Sequence, residues 1–582
     1  MKFGALGRGD WNVGCLRPPP PIDDGNFIPL TFSIGALRRS GPGQVAARRS
    51  RAREGNGRNQ LFLGMRSCSG GLARTTPRLR ECLRSRHSRQ VGVGPVHAVV
   101  PLRFASVPNP IRATVEGIGR LLVYLRLITA SRAQRIAGLA WPRILTGLAR
   151  MSKATADVAM VGVAVGPAAI AGVGYGVPYW TMTYMLGGGI AGGTISLVSQ
   201  RYGGGRYDDI DRAVKVSVMA ALLVTLPLVV VFWTLPEPLI RLIGTGEAAI
   251  QYGTRYLRVA SLAMPFAALN LIGSRTLIGA DDAWTPMIVR AGGAVINVGL
   301  NAVFIFVFDL GVVGAALGTV LGSVGGVLVL GWGLTAGRLP FVGPLPVQVD
   351  WSAPYWDAAD ARHLARISTP LALRKVAQNG GQFPLLAIVG LYGPNMVAAF
   401  VVALRVRALM NTPGWGFGLA SSSLVGQSLG AGNEQDADGY ARDTLRFTVA
   451  TYALVGAAVF VVADPVSALF VDDGAVRATT TALIRAACVS VLLWGVMNGA
   501  LGPLRASGDT TWPFYGQLLG LFVFALPLAY LGAVTSLGIW GLYGTLFAET
   551  AVPAAVIYYR FRTQKWKRIS RQNREAAMGQ AS

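Results

Sequence analysis

The chain is short of charge, and shortest of acid. Only 14% of its 582 residues are charged, and 28 of them are Asp or Glu. An ordinary soluble domain carries about a quarter charged residues, so a water-soluble globular protein of this length is excluded. Histidine is nearly missing, and His363 is the one His beyond residue 110. No nucleophile–base set can be assembled around it, which argues against a membrane enzyme. The four cysteines are Cys15, Cys68, Cys82 and Cys488. They form no Cys-x-x-Cys pair and show no metal-ligand spacing. Cys488 falls in an apolar run and reads as packing. A Gly-x-x-x-x-Gly-Lys phosphate loop is also missing, so ATP-driven pumping has no support and no cofactor is implied.

What the chain has in abundance is apolar length. Hydrophobic residues make up 52% of it and the mean hydropathy is +0.45. Twelve runs are long enough to cross a hydrocarbon core of about 30 Å: 138–164, 169–198, 213–235, 251–277, 287–309, 312–336, 366–392, 397–425, 444–470, 479–503, 513–535 and 538–560. Inside lipid the backbone must satisfy its own hydrogen bonds, so such runs are read as helices. The expected fold is an all-α membrane protein, twelve transmembrane helices in two parallel-repeat six-helix bundles. The first lobe covers 138–337 and the second 366–560, with a cytoplasmic linker at 338–365.

The net charge of +26 belongs mainly to the N-terminal stretch. Residues 1–136 hold 23 Lys and Arg against 6 Asp and Glu. Residues 1–110 contain the run Pro18-Pro19-Pro20-Pro21 and Arg pairs but no sustained periodicity, and are expected to be a disordered extension. Residues 111–137 read as an amphipathic helix bearing Arg120, Arg126, Arg132 and Arg135. No nucleic-acid-binding motif accompanies the charge, so nucleic acid is not an expected partner. Membrane lipid and a small-molecule substrate are, and a monomer is expected.

Orientation follows from the basic loops. One side carries Arg201, Arg206, Arg212, Lys215, Arg338, Arg362, Arg366, Arg442, Arg446, Arg505 and the basic tail within 561–582. The other carries Arg241, Arg255 and Arg477 beside Glu237, Glu247, Asp309, Asp464, Asp472 and Asp473. Both termini are therefore expected in the cytoplasm, with the chain in the plasma membrane.

The strongest internal signal is a repeat at a constant offset of 227 residues. Gly166-Pro167 matches Gly393-Pro394. Ser196-Leu197-Val198-Ser199-Gln200 matches Ser423-Leu424-Val425-Gly426-Gln427. Gly203 and Gly205 match Gly430 and Gly432, Asp282 and Pro286 match Asp509 and Pro513, and Gly311 and Gly314 match Gly538 and Gly541. Agreement at loop Gly, Pro, Asp and Gln is not a by-product of apolar composition. Six spans per copy give both copies one orientation, so the copies are parallel repeats about an axis along the membrane normal.

These segments, together with Ala154-Thr155-Ala156-Asp157-Val158-Ala159-Met160-Val161-Gly162 and Gly311-Val312-Val313-Gly314-Ala315-Ala316, resemble multidrug and toxic compound extrusion transporters over about residues 138–560. The resemblance implies a secondary antiporter that exports small organic compounds, driven by inward H+ or Na+. It also implies a polar cation-coupling site in the first half, which maps here onto Asp157, Asn297, Asn301 and Thr319, and a hinge at Pro142. A flippase for lipid-linked oligosaccharides, from the same superfamily, is the alternative.

The residues themselves bear on this. Asp157 is the acidic side chain deep in the first run, where burial disfavours a charge and intramembrane carboxylates usually face a cavity and work. Asn297 and Asn301 are spaced to share one helix face. Asn301 stands where some members carry an acid, and hard cations prefer anionic oxygen ligands, so H+ is favoured over Na+. Lys153 lies one turn before Asp157 and Arg150 two turns before. The repeat partner of Asp157 is Pro384, so the coupling chemistry is expected in the first half alone. Arg150, Lys153, Gln378, Arg405 and Arg407 are candidates for the substrate cavity, and Arg374, Lys375, Arg405 and Arg407 read either as interfacial cations that snorkel or as a basic cavity for an anionic or zwitterionic compound. Glu549 is a weaker coupling candidate, with snorkelling or pairing to a neighbouring helix as its structural readings.

Overall fold

A computed structural model describes residues 109–579 apart from 245, 353–356 and 472. The expected extension, apart from its last two residues, lies outside the described residues, as do Cys15, Cys68, Cys82 and Asp472.

The first helix, α1 (Pro110–Tyr124), starts at Asn109, whose side-chain oxygen accepts from the N–H groups of Ile111 and Arg112. An Asn cap with Pro in the first turn is strong helix-start chemistry. The chain then turns through Arg126, which takes a φ of 55°, and α2 (Ala130–Val165) begins. The amphipathic helix expected over 111–137 is therefore two pieces. The second runs without a break into the first apolar run, because nothing between Ala137 and Gly138 stops it.

The first half continues with α3 (Pro167–Gly203), α4 (Tyr207–Thr234), the short α5 (Pro236–Arg241), α6 (Glu247–Ser261), α7 (Met264–Gly279), α8 (Trp284–Ala302) with a π turn at Val303–Val307, and α9 (Gly311–Ala336). A two-stranded antiparallel ribbon, β1 (Arg338–Leu339) with β2 (Gly343–Pro344), opens the linker. The second half comprises α10 (Ala358–Gly380), α11 (Gln382–Gly390), α12 (Pro394–Met410), α13 (Thr412–Gly430), α14 (Glu434–Val461), α15 (Ala463–Ala468), α16 (Gly474–Ser507), α17 (Thr511–Leu518) with a π turn at Leu519–Ala525, α18 (Leu526–Val534) and α19 (Ile539–Arg562). The terminal α20 (Lys565–Gly579) follows.

Among the described residues, seven helical stretches are long and apolar enough to cross a membrane. The pair α6–α7, bent by 48°, would make an eighth. The protein is thus an all-α, multi-pass membrane fold. The long helices α2, α3, α10 and α19 fall outside that set for a compositional reason. α2 carries Arg143, Arg150, Lys153 and Asp157; α10 carries Arg374 and Lys375; α19 carries Glu549; and α3 is rich in glycine. Three of these, α2, α3 and α10, are helices through which the halves meet.

The two copies of the repeat meet each other directly. A Cβ at Gly203 would overlap the carbonyl oxygen of Gln427, and a Cβ at Gly430 would overlap that of Gln200. Gln200 Nε2 donates to Ala506 O at 2.6 Å, and Gln427 Nε2 donates to Gly279 O at 3.2 Å. Ser196 Oγ donates to Ala506 O at 2.9 Å, and Ser423 Oγ donates to Ile278 O at 2.6 Å. Each contact has its counterpart, or a near neighbour of it, at the 227-residue offset. The positive φ values pair in the same way: 108° at Gly166 and 96° at Gly393, 50° at Gly311 and 52° at Gly538. Those turns need a residue without Cβ, which is why the glycines stand out in the sequence.

The seam is closed at the end that bears the basic loops. There Arg132 pairs with Asp436 at 2.9 Å and Asp443 at 3.4 Å, and Arg135 donates to Tyr440 Oη at 3.1 Å and Gln427 Oε1 at 3.2 Å. Along α3 the contact with the opposite half reaches Gly189, where a Cβ would lie 2.6 Å from the Ala372 side chain. Along α2 it reaches Met151, whose sulfur is 3.9 Å from Thr412 Oγ1. Further along, Val161, Ala169 and Val173 pack on Ile305, Val312 and Ala315 of their own half.

Candidate coupling site and its surroundings

The four residues expected to form a polar site in the first half come together around α2. Lys153 Nζ lies 2.5 Å from Asp157 Oδ2, and Asn301 Nδ2 donates to Asp157 Oδ1 at 2.7 Å. The same amide donates to Asn297 Oδ1 at 3.2 Å. Lys153 Nζ also lies 3.5 Å from Thr319 Oγ1. Both Asn side chains are buried, while Asp157 and Lys153 are about one-fifth exposed, 18% and 21%. The carboxylate therefore has one oxygen on an ammonium and one on an amide, at a place that water can reach.

The space for the Asn pair comes from α9. Gly314, Gly318, Gly322 and Gly326 stand at four-residue intervals, which puts them in one row along the helix. A Cβ at Gly318 would overlap Asn301 Oδ1, and one at Gly322 would lie 3.2 Å from Asn297 Cβ. One at Gly326 would lie 2.7 Å from Asn270 Oδ1, and one at Gly314 2.9 Å from the Phe304 carbonyl carbon. The row lets two helices approach closely enough to bury amides. Asn297 Nδ2 and Asn301 Oδ1 have no hydrogen-bond partner. The site thus keeps one spare donor and one spare acceptor beside the carboxylate. No group of three or more His, Cys, Asp and Glu able to hold a metal occurs among the described residues.

The remaining candidates are spread more widely. Pro142 is buried inside α2 and its carbonyl accepts from Thr146 Oγ1 at 2.8 Å. The adjacent turn lies against the second half, since a Cβ at Gly416 would sit 2.6 Å from Ala140 O. Arg150 stacks on Trp415 of α13 at 4.6 Å and on Tyr184 at 5.4 Å. Gln378 accepts from Lys375 Nζ at 3.0 Å. Arg405 is exposed and has no ion-pair partner among the described residues.

Arg407 is buried instead against Glu549, with Nη1 2.6 Å from Oε2. Its Nη2 donates to Thr550 Oγ1 at 2.8 Å and its guanidinium stacks on Trp494 at 4.6 Å. Glu549 is therefore held by a neighbouring helix, one of the two structural readings given to it above. Sequence reasoning missed the glycine row and this partner for Glu549. A period-four glycine pattern was available as a signal for the first; nothing in the sequence links residues 407 and 549.

The fold and the seam define a class: an all-helical secondary carrier built from two copies of one unit. The comparison with known proteins gives the family. The family model described as MatE matches the chain twice, over residues 142–303 and 370–531, together more than half of it. The chain belongs to the MatE family, and it is an antiporter that exports small organic molecules by alternating access, not an enzyme. It is similar to the probable multidrug resistance protein YoeA of Bacillus subtilis, 26% identical over 74% of this chain and 94% of that one. It is 26% identical to the multidrug resistance protein PmpM of Pseudomonas aeruginosa over 67% of this chain and 82% of that one. Among solved structures, an outward-facing multidrug resistance MATE transporter of the MOP superfamily matches with a TM-score of 0.69 at 21% identity, covering 75% of this chain and 96% of that one. A MOP superfamily transporter from Pyrococcus furiosus, described as having a binding pocket of reversed polarity, matches at 0.68 and 22% over the same shares.

Proposed function

We propose that this exporter is driven by protons and that Asp157 is the group that loads and releases them. The observation that carries this reading is the asymmetric grip on the carboxylate. One oxygen is held by Lys153 and the other by Asn301. A proton arriving at Asp157 releases Lys153, and a lysine arriving at the carboxylate expels the proton. The surrounding oxygens suit a proton better than Na+, because Asp157 is the one anionic ligand among Asn297, Asn301 and Thr319, and hard cations seek several.

The same reading has the chain crossing the plasma membrane twelve times as a monomer, six helices to each bundle, with both termini in the cytoplasm. The paired contacts at the seam support the duplicated arrangement. The basic loops at the closed end support the orientation, which puts the closed seam on the cytoplasmic side. The deciding measurement is substrate uptake into inverted vesicles under an imposed pH gradient with Na+ removed. Uptake at the full rate is expected. Uptake that appears only when a Na+ gradient is imposed would reverse the choice of ion.

A further inference from the structure

Immediately inside the closed seam lies a group of basic side chains that the coupling chemistry does not use. Arg143 on α2, Arg275 on α7 and Arg290 on α8 come from the first half. Arg374 and Lys375 on α10 and Arg505 on α16 come from the second, and Arg150 stands between them. They are close enough to repel one another. Arg143 feels Arg275, Arg290 and Arg150; Arg275 feels Arg505 as well; Lys375 feels Arg374, Arg505 and Arg150.

Their placement is fixed by the seam itself. Gly279 and Ala506, which accept from Gln427 and Gln200, follow Arg275 by four residues and Arg505 by one. Lys375 follows by three residues the Ala372 that meets Gly189. Among the described residues none of the seven forms an ion pair with a carboxylate, although eighteen such pairs exist elsewhere. The side-chain hydrogen bonds they do make are few, and two of the three are long. Arg290 Nη1 reaches Ser274 Oγ at 3.5 Å, Arg374 Nη2 reaches Met497 Sδ at 3.5 Å, and Lys375 reaches Gln378. Arg143 Nε, Arg275 Nη1 and Arg374 Nε are buried with no partner, and Arg374 as a whole is 5% exposed.

Arg374 is buried and the other six are half-buried; like charges withdrawn from bulk water without counter-ions are costly, and natural proteins pair them or use them. We infer that this space is a binding site for an anionic group, a phosphate, sulfonate or carboxylate borne by an organic molecule. Guanidinium groups match such oxyanions in geometry as well as charge. Trp415 and Tyr184, already stacked on Arg150, offer an apolar wall for the organic part. Because both halves supply cations, a bound anion is gripped by both, and its departure leaves them repelling across the seam. The inference rests on the alternating-access reading but not on the role given to Asp157. A soluble organic anion and the phosphate of a lipid-linked molecule share this chemistry.

The test uses the full-length protein in nanodiscs of phosphatidylcholine. Fluorescence polarisation would follow the binding of 6-carboxyfluorescein, an organic anion, and of rhodamine 123, a cation. Dodecyl phosphate, phenyl phosphate and dodecyltrimethylammonium would serve as competitors. Carboxyfluorescein is expected to bind more tightly than rhodamine 123. The Arg275→Gln/Arg505→Gln variant should weaken it by about tenfold or more, in line with the loss of charge-assisted hydrogen bonds, and Arg275→Lys/Arg505→Lys should keep most of it. Stronger competition by dodecyl phosphate than by phenyl phosphate assigns the anion to a lipid; equal competition assigns it to a soluble compound. If the Gln variant does not fold, the preference of the unaltered protein for anion over matched cation decides. Rhodamine 123 or dodecyltrimethylammonium binding as tightly as its anionic counterpart overturns the inference. Asp157→Asn should bind carboxyfluorescein normally. Lost export with anion binding intact speaks to coupling alone, and missing anion binding with Asp157-dependent export intact overturns the anion site alone.

Discussion

Lys153 and Asp157 form an ion pair of 2.5 Å one helical turn apart, and the same carboxylate accepts from Asn301. A charged pair within one helix can open without moving a helix, which suits a group that must change partners in every cycle. The Asp157→Asn substitution keeps the shape and removes the titrating group. Cells or vesicles carrying it are expected to export substrate no faster than those lacking the protein, with helical content by circular dichroism unchanged. Export at the normal rate would falsify the coupling role.

The glycine row on α9 gives an independent handle on the same site. Gly318→Val places a side chain where Asn301 Oδ1 now sits. Overfilling a packed interior costs about 1–3 kcal/mol, and here the amide is driven off Asp157. Export is expected to fall well below normal while the protein still reaches the membrane. Gly325→Val, on a position with open space around it, should leave export close to normal.

At the seam, Gly203→Val and Gly430→Val each force a side chain into a backbone carbonyl of the opposite half. Each alone should disfavour the closed seam. Cysteine accessibility measured from the basic-loop side is expected to rise in both variants, and by similar amounts because the two positions are equivalent. A rise in one variant only would show that the two copies do not share the seam equally.

The Arg407–Glu549 pair is a different kind of contact, with side chains 4% and 5% exposed. Removing one partner strands a buried charge, at a cost of about 3–5 kcal/mol. Glu549→Leu should therefore lower the thermal midpoint in detergent strongly. Arg407→Met combined with Glu549→Leu should recover most of it, because an apolar pair of similar volume is tolerated. Failure of the double variant to recover would point to a role for the charges beyond stability.

His363 sits ahead of the apolar part of α10 and its Nε2 has no partner. Burial, with Arg201 beside it, pushes its pKa down to about 4. In the unfolded chain the same group titrates near about 6.5. Between those values the unfolded chain binds a proton that the folded protein does not, so stability falls as pH is lowered through that window. His363→Gln should flatten that part of the stability-against-pH curve measured by thermal unfolding.

The sequence made the repeat legible because its markers are chemical necessities. Gly166 and Gly393 hold φ values closed to most residues, and Gln200 and Gln427 bond across the seam. Asp157, Asn297, Asn301 and Thr319 were visible as polar side chains on apolar helices, and the structure draws them together. Other features were not legible, for a common reason. Arg275 and Arg505 each look like a cation near a helix end, and only folding brings them into one space. The partnership of Arg407 with Glu549 joins residues from α12 and α19, a relation no local pattern encodes. The apolar length of α2, α3 and α10 is that of ordinary spans, whereas their charges and glycines mark them as helices that face the opposite half.

The seam has a consequence for how the two copies relate to each other. Gly203 on Gln427 and Gly430 on Gln200 is one contact made twice with the roles exchanged. That is the signature of an isologous interface, the kind a protein makes with a copy of itself. A half-length chain bearing Gly203 and Gln200 would carry both sides of this contact. Joined in one chain, the two copies need not match elsewhere, and one carries Asp157 at the place where the other has Pro384.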